Sequence, residues 1–108
     1  MTKYHFHDQG VTGISLKNGQ LNLGVESYNE DTKTYVPTSV VFSDVSEMKI
    51  DDVVSEAVEP MYDDGEIIHF KTKDNSTLLI IQWIDYKNKK ESTKSYKFNF
   101  QQMKVDGK

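Results

Sequence analysis

Residues 12–25 constrain the fold more than any other stretch, because they spell a complete β-hairpin. Asn18-Gly19 supplies the two residue types that best tolerate positive φ, which a type I′ turn requires at both central positions. A two-residue loop fixes the register. Leu16 falls opposite Leu21, Ile14 opposite Leu23 and Thr12 opposite Val25 on one face, with Ser15 opposite Asn22 and Lys17 opposite Gln20 on the other. A slip of one residue would turn the apolar set to solvent, so turn chemistry and apolar pattern specify the same pairing independently. Gly13 and Gly24 fall opposite each other, which leaves room for a ring or another backbone to approach. The hairpin announces a small β-rich domain and no chemistry.

The rest of the chain follows the same pattern. Residues 1–8 read as an extended segment, with Tyr4 and Phe6 on one side and His5 and His7 on the other. Residues 34–42 alternate as a strand, but Pro37 cannot donate to a ladder, so the strand lies at an edge or begins after the proline. A short strand is expected over 45–50, with Met48 and Ile50 in phase. Residues 51–59 are the one helix candidate. Asp51 or Asp52 can cap it, Val54, Ala57, Val58 and Met61 fall at helical spacing, and Pro60 stops it. Tyr62-Asp63-Asp64-Gly65 reads as a turn, 66–73 as a strand and Asp74-Asn75-Ser76 as a second turn.

Residues 77–86 are apolar on both faces, Leu78, Ile80, Ile84 and Tyr86 against Leu79, Ile81 and Trp83, which places that strand centrally. After a charged loop, residues 95–100 turn Tyr96, Phe98 and Phe100 inward, and Met103 and Val105 suggest a short last strand. Phe42 followed by Met48-Lys49-Ile50-Asp51 faintly echoes Phe100 followed by Met103-Lys104-Val105-Asp106, with different gaps and no repeat architecture. The 108 residues make one domain. It is mainly β, a β-rich α+β fold at most, whose antiparallel hairpins form a bent sheet, a small barrel or a sandwich with at most one short helix near 52–58.

Composition narrows the chemistry. With no cysteine, neither a disulfide framework nor a thiolate metal site is available. All 13 basic residues are lysine, and without arginine's planar fork the chain lacks the usual reader of phosphate and guanine, against a nucleic-acid partner. Tyr96, Phe98 and Phe100 alternate with Lys97 and Asn99, which puts the rings on a buried face rather than on a base-stacking platform. The apolar block 78–81 is far too short to span a bilayer, and residues 1–8 lack a signal-peptide run, so a cytoplasmic protein without a membrane partner is expected.

His5 and His7 share one strand face and can meet a metal together, but a zinc site needs a further protein ligand. They support, as a second reading, a small ligand- or metal-binding β-barrel; the first reading has no metal and no cofactor. Asp63-Asp64-Gly65-Glu66 lacks the twelve-residue ligand spacing of an EF-hand. Gly13-Ile14-Ser15 lies inside a strand, where no nucleophile elbow forms, so no catalytic residue is assigned and a non-enzyme is expected.

Charge is distributed unevenly. Residues 44–66 hold nine acids and one lysine, a net −8, while 87–108 hold seven lysines and two acids, a net +5. The two could pair with each other or face different partners. Asp51, Asp52, Glu56, Glu59, Asp63, Asp64 and Glu66 are the candidate partner-binding residues, exposed in the least regular part of the chain. The opening Phe6-His7-Asp8, with Val11-Thr12-Gly13-Ile14 and the Asn-Gly hairpin behind it, resembles small bacterial β-rich proteins that begin with a Phe-His-Asp segment. Some of these are similar to immunity proteins, which neutralise a toxin of the same or a neighbouring strain. That resemblance implies a non-enzymatic protein binder with Phe6, His7 and Asp8 as the shared motif. Its partner on this reading is a basic toxin, met by the acidic surface. A third reading is a structural subunit of a homo-oligomer joined by strand edges.

Overall fold

The computed structural model describes residues 10–107, with the backbone alone at 27–29 and 107. The strands are β1 (Gly10–Lys17), β2 (Gln20–Asn29), β3 (Thr34–Ser43), β4 (Ser46–Ile50), β5 (Val53–Val54), β6 (Asp64–Lys73), β7 (Ser76–Asp85), β8 (Lys90–Asn99) and β9 (Gln102–Gly107). They form one antiparallel sheet in the order β5-β4-β8-β7-β6-β1-β2-β3-β9, not closed into a barrel, and the described residues contain no helix. The segment expected over residues 1–8 lies outside the described residues.

Asn18 and Gly19 take φ of 54° and 76°, and Leu16↔Leu21, Ile14↔Leu23, Ser15↔Asn22 and Lys17↔Gln20 pair as the pattern predicts. The register then breaks. Val11, not Thr12, sits opposite Val25, because a bulge falls between Val11 and Gly13. Strict alternation would send residues 11 and 14 to opposite faces; one extra residue lets Val11 and Ile14 both enter the core and leaves Thr12 exposed. Gly13 and Gly24 do pair, but neither a ring nor a distant backbone approaches them: a Cβ at Gly13 would meet nothing within 4 Å, and one at Gly24 would strike the Thr12 hydroxyl. Changing Asn18-Gly19 to Ala-Ala is expected to lower stability by about 1–3 kcal/mol, since alanine must adopt positive φ twice. The urea midpoint reads this, and an unmoved midpoint would contradict the turn's role in setting the register.

β3 continues into β4 through Asp44 and Val45, and β8 into β9 through Phe100 and Gln101. Because β3 pairs with β9 and β4 with β8, two long bent strands run antiparallel through their corners, where the Gln101 N–H donates to the Ser43 carbonyl at 2.9 Å. The echoed sequence segments fall on equivalent places: Phe42 and Phe100 at the corners, and Met-Lys-apolar-Asp beyond each. The two rings meet with centroids 5.1 Å apart, and Phe42 also meets Phe98 edge-on at 4.9 Å and Phe70 at 6.3 Å.

Among the described residues β1 pairs with β6 only at Gly10↔Glu66, so the sheet divides into β5-β4-β8-β7-β6 and β1-β2-β3-β9, whose facing residues share one core. A second bulge, between Ile67 and His69, turns both Ile67 and Phe70 towards that core. β6 starts two residues earlier than the turn pattern predicts, because Asp64 and Gly65 already pair with Ile84 and Trp83. A Cβ at Gly65 would lie 2.8 Å from the indole, so the glycine is what lets the Trp83 ring rest on the β6 backbone.

β7 lies inside the sheet with β6 and β8 on its sides, as its composition predicts. Its faces are unequal: Leu79, Ile81 and Trp83 are buried, Leu78, Ile80 and Ile84 are half-buried, and Tyr86 lies beyond the strand and is exposed. Pro37 pairs with Glu26, and among the described residues the β9 ladder on the other side of β3 ends at Thr38↔Gly107.

Candidate functional site: an acidic edge hairpin

Residues 51–59, the predicted helix, form a hairpin and a strap instead. Asp51 and Asp52 take φ of 52° and 67° and make a two-residue turn, with Ile50↔Val53 and Lys49↔Val54 pairing β4 to β5. Two left-handed residues in succession are the I′ geometry, which aspartate tolerates better than most side chains. A two-turn helix is too short to hold itself, and Val53-Val54 suits a strand.

The turn gains long-range bonds that a helix would forgo. The Asp51 N–H donates to the Ser95 carbonyl at 2.9 Å, its carboxylate accepts the Ser95 N–H at 2.9 Å, and the Lys94 ammonium lies 3.2 Å from the second oxygen. The Ser95 amide foremost, and then Lys94, hold the Asp51 carboxyl below its ordinary range. This ion pair is also a point where the acid-rich and lysine-rich stretches of the chain meet.

Beyond β5 the chain crosses from the edge of the sheet towards its middle. The Ser55 hydroxyl donates to the Ala57 carbonyl at 2.8 Å. Val58 is buried and bridges to Leu16, whose N–H donates to the Val58 carbonyl at 3.4 Å. The strap then enters β6 at Asp64.

Asp51, Asp52, Glu56, Glu59, Asp63 and Asp64 are exposed, and Glu66 is half-buried opposite Gln82. They are spread along the strap: the aspartates of the turn at the hairpin tip, Glu56 and Glu59 on either side of the Val58 bridge, Asp63 and Asp64 at the entry to β6. Glu47, which the pattern did not single out, belongs with them. It takes φ of 55° at a bulge in β4, and its carboxylate accepts a hydrogen bond from the Asn99 amide nitrogen. Glu47 and Glu56 line a groove of about 340 Å³ together with Leu16, Met48 and Val54. The β1–β2 turn forms part of its wall and is tied there by the Val45 N–H donating to the Gly19 carbonyl at 2.8 Å. Val53 and Val54, which the helix reading partly turns inward, are 67% and 71% exposed.

Phe6, His7 and Asp8, and with them His5, lie outside the described residues. Among the described residues no three His, Cys, Asp or Glu side chains are grouped to hold a metal ion, and no helix is long and apolar enough to cross a membrane. No family model matches the chain, and neither a curated protein nor a solved structure does.

Proposed function

We propose that this is a non-enzymatic protein-binding module of the immunity type, and that its acidic edge hairpin receives a basic protein such as a nuclease toxin. The observation that carries this reading is Val54, 71% exposed at the edge of the sheet, which lines a groove together with Leu16, Met48, Glu47 and Glu56. A small apolar centre inside a charged rim is the anatomy of a protein interface, where the centre supplies affinity and the rim steers approach. The resemblance of the Phe6-His7-Asp8 opening to immunity-like proteins points the same way.

Neutralising Asp52, Glu56, Glu59 and Asp63 to Asn or Gln leaves the anchoring Asp51 in place. The fold is expected to survive, at under about 0.5 kcal/mol for each change. Association with a basic partner captured from the native host is expected to slow roughly tenfold at low salt and to lose most of its salt dependence. Stopped-flow kinetics at two ionic strengths measure both. An unchanged association rate would reduce these acids to a solvated face.

A further inference from the structure

We propose that two copies of this chain join edge to edge through β9, antiparallel about a twofold axis at Val105. β9 pairs with β3 along one side. On its other side the β6–β7 turn reaches only as far as Phe100, whose N–H donates to the Asn75 carbonyl at 2.9 Å. Among the described residues no strand lies beyond it, so a row of backbone donors and acceptors over residues 102–107 is left unpaired. The equivalent segment past the other corner, β4, has its outer edge covered by β5.

Charge selects the occupant. Met103 and Val105 turn towards the core, while Lys104 and Asp106 are exposed on the opposite face. Residues directly opposite in an antiparallel pair share a face, so a twofold axis that keeps core side against core side must pass through a residue. An axis through Lys104 would set that lysine against itself, and one through Asp106 would do the same to the aspartate. An axis through Val105 sets Lys104 against Asp106 of the second copy, and Asp106 against its Lys104, with the two valines meeting between them. Lysine on an open edge ordinarily discourages pairing; here the facing aspartate makes it select one register. The contact is isologous, so each β9 edge is used once and the assembly closes as a dimer. It stands apart from the acidic hairpin, since β5 lines the outer side of the β3–β4 strand while the open edge is the outer side of the β8–β9 strand.

Light scattering and sedimentation of the full chain test this, from low micromolar to about millimolar concentration. Mass is expected to rise from monomer towards dimer, and the rise to weaken with added salt. Lys104→Asp and Asp106→Lys, each of which puts like charges opposite, are expected to weaken dimerisation at least about tenfold. The double variant Lys104→Asp/Asp106→Lys restores the opposition and is expected to return within about threefold of wild type. Independently of any variant, amide exchange over residues 102–107 of the wild-type chain is expected to slow as concentration rises. A monomer throughout the range overturns the proposal. So does a dimer indifferent to the single swaps or not rescued by the double, or one whose β9 amides exchange at the same rate at all concentrations.

Discussion

Phe42→Ala is expected to destabilise the protein by about 3–5 kcal/mol, the loss that follows when a fully buried aromatic is truncated and its surroundings cannot close. Phe42 has no exposed surface. It lies at the first corner, two residues before Asp44, paired to Leu21 on one side and Met103 on the other, with the rings of Phe98, Phe100 and Phe70 against its own. Those neighbours come from both halves of the sheet. They are held by their own ladders, so they cannot collapse into the space the ring leaves. A domain of this size is stable by about 5–15 kcal/mol in total, so one substitution would remove a large fraction of it. Phe70→Ala, at a half-buried position on the margin of the same cluster, is expected to cost visibly less. Urea denaturation of the variants measures the order. A Phe42→Ala loss below that of Phe70→Ala would show that the core is not centred on the corner.

The reason the corner matters is also the reason the sequence conceals it. The strands were legible because alternation is local: the pairs around Asn18-Gly19 follow from turn and pattern, and Leu79, Ile81 and Trp83 announce their shared face within a few residues. The bulges are breaks in that alternation. Val11 and Ile14, or Ile67 and Phe70, are three apart and share the core, a spacing that suits a helix as well as a bulged strand. Only the opposite strand decides which residue is set aside. Phe100 reads as the last inward residue of a strand and is buried, yet it sits in a corner that exists because β3 and β9 pair across the molecule.

The candidate site shows the same division. The acid run is visible as composition, and its exposure at six of seven positions follows from ordinary solvation. Its shape depends on contacts far away in the chain. Asp51 turns back to Ser95, 44 residues downstream, and that bond belongs to the β4–β8 pairing, which no local pattern contains. Once those bonds are made, Asp51-Asp52 is a turn rather than a helix cap, and Val53-Val54 is an exposed edge rather than a helix face. Glu47 enters the site for the same reason. A bulge in β4 aims it at Asn99, and only the sequence position of its carboxylate within the acid run hinted at membership.

The second large effect is expected at the buried pair next to this hairpin, Tyr96 of β8, which pairs with Ile50, and Trp83 of β7. The Trp83 indole N–H donates to the Tyr96 hydroxyl at 2.7 Å, with both residues almost wholly buried. Tyr96→Phe leaves the indole N–H without its partner and is expected to cost about 1–3 kcal/mol at neutral pH. Burial foremost, with the charge of Asp51 adding to it, raises the Tyr96 phenol above its ordinary range, while the Trp83 hydrogen bond opposes the shift. A phenol whose pKa is higher folded than unfolded contributes stability that is fully present below about pH 10 and is lost as pH climbs through the folded value. Wild type should therefore lose stability above about pH 10 faster than Tyr96→Phe, and the gap between them should narrow. The other tyrosines are common to both proteins and cancel in the comparison. Urea midpoints at neutral and strongly alkaline pH would show it. Two curves that stay parallel through the alkaline range would mean that the Tyr96 hydroxyl titrates as it does in the unfolded chain, and so is not enclosed with the indole as described.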